Sequence, residues 1–78
     1  MKNIQTPIRE IIRLNIILNR KELNMTQKEL GSKLGLKKNT VASWEQGLST
    51  PNIDTLVMML DLFDVDFYDF VGIPRRKA

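Results

Sequence analysis

The sequence contains neither cysteine nor histidine, and these two absences exclude several kinds of chemistry. Without cysteine there is no disulfide and no thiolate nucleophile. Without either residue there is no Cys/His zinc site and no histidine acid–base catalysis. A glycine-rich phosphate loop is also missing. We therefore predict that the protein is not an enzyme, that it binds no metal and no cofactor, and that its fold depends on apolar packing.

Long apolar runs are missing as well, since the longest unbroken ones contain only a few residues. None of them could span a bilayer, which requires about 20 apolar residues. The N-terminal stretch MKNIQTP has neither the apolar segment nor the small-residue cleavage site of a signal peptide. We expect a cytoplasmic protein that does not bind membranes. Its length of 78 residues predicts one domain over 1–78, with a core at about 7–72 and a tail at 73–78.

Charge is distributed unevenly along the chain, although the net charge is only +3. Residues 1–48 contain nine basic and four acidic side chains, a net of +5. Residues 49–78 contain five acidic side chains and three basic ones, the latter all at 75–77, a net of −2. This asymmetry predicts an N-terminal part that faces a polyanion, although a basic protein without such a ligand could have the same composition.

Capping residues and breaks divide the chain into five predicted helices, with no strand-like alternation of apolar residues between them. The predicted N-caps are Thr6, Thr26, Asn52 and Asp66, and the predicted stops are Asn24, Gly35, Gly47 and Gly72. The predicted buried stripe of the first helix consists of Ile8, Ile12, Ile16 and Leu23. Together these signals predict an all-α fold.

The stretch from Gln27 to Gln46 has the pattern of a helix-turn-helix, because only a three-residue turn separates two short helices. Gly31 provides the small residue that is needed where the helices cross, and Gly35 provides the positive φ that the turn requires. The angle between the helices is closed by Leu30, Leu34, Leu36, Val41 and Trp44. The opposite face of the later helix keeps basic, amide and hydroxyl side chains, the types that contact base edges and phosphates.

The sequence TQKELGSKLGLKKNTVASWEQGLSTPNIDTL resembles the phage Cro/repressor-type helix-turn-helix family, also called the Xre family. The matching features are the T-Q-x-E-L start, the glycine in the middle of the motif, the W-E-x-G end of the later helix and the proline that follows. The resemblance covers roughly residues 8–72. It implies a repressor-like domain of five helices whose helices 2 and 3 form the helix-turn-helix, with double-stranded DNA as its ligand.

The resemblance also implies a role for individual residues. Base contacts are implied for Lys38, Asn39 and Ser43. Phosphate contacts are implied for Thr26, Gln27, Lys37, Thr40, Gln46 and Ser49, of which Lys37 and Thr40 could also contact bases. A partly buried ion pair between the first and third helices is implied for Arg20 and Glu45.

Two positions depart from the family pattern. Lys37 stands where relatives often have a serine or threonine N-cap, which removes a cap worth about 1 kcal/mol. A cation at this helix end is favourable only if a phosphate lies beside it. Gly31 replaces the more usual alanine, which destabilises the helix by about 1 kcal/mol because glycine has the lower helix propensity.

The chain has more apolar side chains than a monomer of this size can easily bury. The surplus residues that we assign to a dimer or partner interface are Ile11, Leu14, Leu18, Met58, Leu62, Phe67 and Tyr68, and Phe70 and Val71 of the fifth helix add to the surplus. Scattered exposed apolar residues, which are common, are the alternative explanation.

Two functions follow from these patterns. The first is a sequence-specific DNA-binding transcriptional regulator, a repressor that binds a palindromic operator as a homodimer. The second is an antitoxin-like or adaptor module whose apolar face binds another protein, with DNA binding that is autoregulatory.

Overall fold

A computed structural model describes residues 7–74, which form an all-α domain of five helices. In chain order these are α1 (Ile8–Glu22), α2 (Gln27–Lys33), α3 (Lys38–Glu45), α4 (Ile53–Phe63) and α5 (Phe67–Val71). No helix in this part of the chain is long and apolar enough to cross a membrane. Thr6 and the basic tail at 75–77 lie outside the described residues, but the prediction of Thr6 as the first N-cap is wrong, because the N-cap of α1 is Pro7.

Side-chain caps at the starts of three helices confirm the predicted boundaries. The Thr26 hydroxyl accepts a hydrogen bond from the backbone N–H of Glu29, whose carboxylate accepts one from the Thr26 N–H, which completes a capping box. Asn52 caps α4 by accepting from Thr55 N–H at 2.8 Å, and Asp66 caps α5. The start of α3 has no side-chain cap, as expected for Lys37.

The core lies where the five helices meet, and it is built from one face of each. Its buried residues are Ile12, Ile16, Leu30, Leu34, Val41, Trp44, Leu56, Met59, Phe63, Phe70 and Val71. Burying one such side chain completely contributes roughly 1.5–3 kcal/mol. The rings of Phe63 and Phe70, with centroids 6.1 Å apart, join α4 to α5.

Two predictions about burial are wrong. Ile8 and Leu23 were expected in the core stripe of α1, but they are about half exposed because they stand at the two ends of the helix, beyond its neighbours. Phe70 and Val71 were expected among the surplus apolar residues, but each is only 2 % exposed because α5 folds back against α1. The Asn15 amide fixes this arrangement by donating to the Phe70 carbonyl at 2.8 Å.

Helices α2 and α3 approach each other most closely at Gly31. A Cβ atom on this residue would lie 2.9 Å from the Leu36 carbonyl oxygen, and the Leu36 N–H donates to the Gly31 carbonyl at 2.7 Å. Gly35 has a φ of +72° in the turn. The two glycines therefore occupy the places that the sequence predicted, and they fix the angle at which α3 leaves α2.

Candidate nucleic-acid interface

The exposed face of α3 is polar and lies opposite its buried face. Val41 and Trp44 point into the core, whereas Asn39, Ser43 and Gln46 recur at the i, i+4 and i+7 spacing on the other side. Asn39 and Gln46 are exposed and Ser43 is half-buried. A helix that presents amide and hydroxyl groups along one side can form hydrogen bonds with base edges in a major groove.

Two lysines stand at the N-terminal end of α3. Lys37 is the N-cap and Lys38 is the first helical residue, and both side chains are exposed. The free N–H groups there carry the positive end of the helix dipole, so the lysine charges and the helix end both contribute positive potential. This end of α3 attracts an anion such as a phosphate. Thr40, one turn further along, is half-buried.

The start of α2 contributes two further polar side chains. Thr26 is exposed, and its oxygen already accepts a bond in the capping box, which leaves its hydroxyl hydrogen available to a ligand. Gln27 is half-buried and donates one amide N–H to Glu45 Oε1 at 3.0 Å. An amide has two such hydrogens, so the second remains available to a ligand.

The carboxylate of Glu45 joins α1, α2 and α3. Arg20 donates from Nε to Oε2 at 2.6 Å and from Nη2 to Oε1 at 3.0 Å, while its Nη1 donates to the Met25 carbonyl at 2.7 Å. The side chains of Arg20 and Glu45 are only 11 % and 8 % exposed. Burial by itself would raise the pKa of Glu45, but the hydrogen bonds from Arg20 and Gln27 and the positive charge of Arg20 outweigh it and lower this pKa.

Arg13 makes a second link between α1 and α3 that the sequence analysis missed. Its Nη1 donates to the backbone carbonyl of Glu45 at 3.0 Å, at the C-terminal end of α3, where a cation is favourable. Glu10 holds the same guanidinium from the other side through two hydrogen bonds of 2.6 and 2.9 Å. The sequence signal for this link is the spacing of Arg13 seven residues before Arg20, which puts both on one side of α1.

The loop that follows α3 is attached to the exposed face of the helix. The hydroxyl oxygens of Ser43 and Ser49 are 2.7 Å apart and share a hydrogen bond. The backbone N–H of Leu48 donates to the Ser43 carbonyl at 2.9 Å. Ser49 is exposed, so its hydroxyl lies at the surface beside Ser43.

The residues assigned to a dimer or partner interface do not form one exposed set. Ile11 is half-buried, with its side chain against Gly72, and Leu62 is half-buried against the core. Leu14, Leu18, Met58, Phe67 and Tyr68 are exposed. Further exposed apolar side chains that the sequence pattern did not predict are Leu48, Ile53, Val57 and Ile73.

Comparison with known proteins agrees with this geometry. A helix-turn-helix family model (HTH_3) matches residues 16–70. The HTH-type transcriptional regulator AnsR of Bacillus subtilis is 33 % identical over 58 residues, which make up 74 % of this chain and 50 % of AnsR. The chain thus spans half the length of that curated relative.

Two solved structures share the fold. The hypothetical transcription factor NHTF from Neisseria superposes with a TM-score of 0.76 at 20 % identity, over 95 % of this chain and 87 % of that one. The SOS-response transcriptional repressor LexA from Eubacterium rectale superposes with a TM-score of 0.77 at 17 % identity, over 97 % of this chain and 81 % of that one. The family match covers most of the chain and includes both helices of the motif. The chain therefore belongs to the Xre-type helix-turn-helix family of DNA-binding transcriptional regulators.

Proposed function

We propose that the protein is a sequence-specific transcriptional repressor that binds a palindromic operator as a homodimer. The observation that carries this proposal is the polar face of α3, which presents two exposed lysines and the exposed Asn39 at its N-terminal end and the half-buried Ser43 one turn further along. We call α3 the recognition helix from here on. It would enter the major groove with its N-terminal half leading.

Base selection would depend on Lys38, Asn39 and Ser43. An asparagine amide can both accept from N6 and donate to N7 of adenine, and a lysine can donate to O6 and N7 of guanine. Each well-placed contact of this kind discriminates against the wrong base by about 1–3 kcal/mol.

Phosphate contacts would set the register of the helix on the duplex. The donors that support this role are the free hydroxyl hydrogen of Thr26, the second amide N–H of Gln27 and the ammonium group of Lys37. Three further candidates are Thr40, which is half-buried within the recognition helix, Gln46, which is its exposed C-cap, and Ser49, which is exposed in the loop after it. Glu45, in the recognition helix, accepts hydrogen bonds from both Arg20 and Gln27. A phosphate bound by Gln27 would therefore have a fixed position relative to the recognition helix.

Two copies would place two recognition helices about 34 Å apart, one helical turn of DNA, which requires an operator with two-fold symmetry. Occupation of such a site would block transcription. The apolar side chains Leu14 and Leu18 of α1 are candidates for the contact between copies, with exposures of 44 % and 62 %. Exposed apolar groups of this kind lose contact with water when a second subunit covers them.

The same exposed residues of α1 also support a second candidate function, in which the protein is an antitoxin-like or adaptor module. Leu18 stands about 160° around α1 from Arg20, the residue that faces the recognition helix, at 100° per residue. A different protein bound at Leu14 and Leu18 would therefore leave the DNA-facing side free.

Light scattering separates these two candidates. A mass of two chains for the wild type, reduced to one chain in Leu18→Glu but not in Val57→Glu, would support the homodimer through α1. A wild type that is monomeric at micromolar concentration would favour the partner-binding module.

Selection of bound sequences from a random pool of duplex DNA tests the main proposal. We expect enrichment of a palindrome whose half-sites lie about 10 base pairs apart, centre to centre. A pool that shows no enriched sequence after repeated selection would contradict it.

A further inference from the structure

Ser43 is held by the loop after the recognition helix through both its side chain and its backbone. Its hydroxyl shares a hydrogen bond of 2.7 Å with the hydroxyl of Ser49, and its carbonyl accepts from Leu48 N–H at 2.9 Å. Ser43 lies on the same side of the helix as Asn39, one turn away. The hydroxyl of Ser43 is therefore not free to turn independently of Ser49.

We infer that Ser49 is a positioning residue, which determines the kind of base that Ser43 can contact. The inference rests on the proposed function, in which Ser43 faces a base and Ser49 a phosphate. A serine hydroxyl has one hydrogen to donate and two lone pairs that accept. A phosphate oxygen only accepts, so Ser49 must give its hydrogen to the phosphate.

That donation fixes the direction of the whole chain of hydrogen bonds. With its hydrogen on the phosphate, Ser49 offers only lone pairs to Ser43, and Ser43 must donate its own hydrogen to Ser49. Ser43 then presents lone pairs alone to the DNA. In the major groove the groups that donate are the amino groups of adenine and cytosine, whereas O6 of guanine and O4 of thymine accept. Ser43 therefore selects a base that carries an amino group.

The test begins with the operator selected from the random pool. The base that faces Ser43 is the one at which Ser43→Ala loses discrimination. The wild type should prefer adenine or cytosine there. Replacing that base by an analogue that lacks only the amino group, purine for adenine or pyrimidin-2-one for cytosine, should weaken binding about 5- to 20-fold.

Ser49→Ala provides the second arm. It should bind all sequences less tightly, because a phosphate contact is lost. Its preference for an amino-bearing base over guanine or thymine at the Ser43 position should shrink to about threefold or less, since the Ser43 hydrogen is then released to donate to a keto oxygen. Gln46→Ala is the matched control for a lost phosphate contact, and it should keep the wild-type preference. Ser32→Ala, an exposed serine of α2 outside the interface, should bind like the wild type.

The outcomes separate this inference from the proposed function. A wild-type preference for guanine or thymine at the Ser43 position would overturn the inference, and so would an unchanged preference in Ser49→Ala. A Ser43→Ala variant that alters discrimination at no position would overturn it as well. Absence of any sequence-specific binding by the wild type would overturn the proposed function and, with it, this inference.

Discussion

Substitution of Arg20 should distinguish a structural role from a DNA-contacting role most clearly. Its guanidinium makes three hydrogen bonds, two to Glu45 and one to the Met25 carbonyl, and its side chain is 11 % exposed. Removing it leaves the Glu45 carboxylate without its counter-ion. Removing one partner of a buried ion pair lowers the free energy of unfolding by up to about 3–5 kcal/mol.

We therefore predict that Arg20→Met lowers the melting temperature and weakens operator binding, because the recognition helix is less firmly held. The base preference of the folded fraction should stay the same. Thermal unfolding is the measurement, with Arg9→Met as the control, since Arg9 is an exposed cation of α1. An unchanged melting temperature together with lost DNA affinity would mean that Arg20 contacts DNA.

The lowered pKa of Glu45 predicts how the stability of the fold depends on pH. Its pKa is lowered in the folded protein from the ordinary value of 4.5, so folding favours the charged carboxylate. This contribution to stability is complete above the ordinary pKa and is lost as the pH falls through the lower, folded pKa. Denaturant unfolding between about pH 5 and pH 3 should show a steeper loss for the wild type than for Glu45→Gln. Equal slopes for the two proteins would contradict this prediction.

At the residue scale, the sequence predicted the role of an individual residue better than it predicted that several residues contact the same partner. The Arg20–Glu45 pair followed from the family resemblance, and the structure brings the two residues together. The bond from Gln27 to the same carboxylate could not be predicted, because it depends on the distance between α2 and the end of α3. The spacing of Arg13 and Arg20 places both on one side of α1, but the contact of Arg13 with the Glu45 carbonyl depends on how closely α1 approaches the end of α3.

The helices themselves could be predicted wherever their boundaries are encoded locally. A capping residue needs only the N–H groups two or three positions along the chain, so Thr26, Asn52 and Asp66 were identified from sequence alone. Burial at helix ends is decided by neighbouring elements instead. This is why Ile8 and Leu23 are exposed although their spacing fits the core stripe.

The N-cap of α4 gives a test at the scale of one element. Asn52→Ala removes the acceptor for the Thr55 N–H and should lower the free energy of unfolding by about 1 kcal/mol. Asn52→Gly should lower it by only a few tenths of a kcal/mol, because glycine is itself tolerated at N-caps. Urea denaturation of the two variants measures the difference. Equal losses would mean that the side-chain bond contributes nothing to α4.

At the scale of the whole molecule, positive charge is concentrated in the first half of the described chain. Among the described residues, every lysine and arginine lies before α4, and all five aspartates lie in or after it. The basic half includes the helix-turn-helix. A polyanion is therefore attracted more strongly to the half that contains the recognition helix than to the half that contains the aspartates.

This arrangement predicts a steep dependence of operator affinity on salt. Each neutralised phosphate releases counter-ions, so a dimer should show a slope of log K against log salt of about −5 or steeper. Lys37→Ala should make the slope shallower by about 1 for each lysine lost from a phosphate. Lys33→Ala, at the C-terminal end of α2, is the matched control and should leave the slope unchanged. A flat dependence for the wild type would contradict docking into a groove.

The most direct test of the central claim, that the recognition helix selects bases while α2 holds the backbone, compares two variants on the selected operator. Binding of wild type, Asn39→Ala and Gln27→Ala is measured against every single-base substitution of one half-site. We predict that Asn39→Ala loses about 1–3 kcal/mol of discrimination at one base position and keeps it elsewhere. Gln27→Ala should weaken binding to all sequences alike and keep the same base preferences. The opposite result, altered base preference in Gln27→Ala and none in Asn39→Ala, would contradict the account.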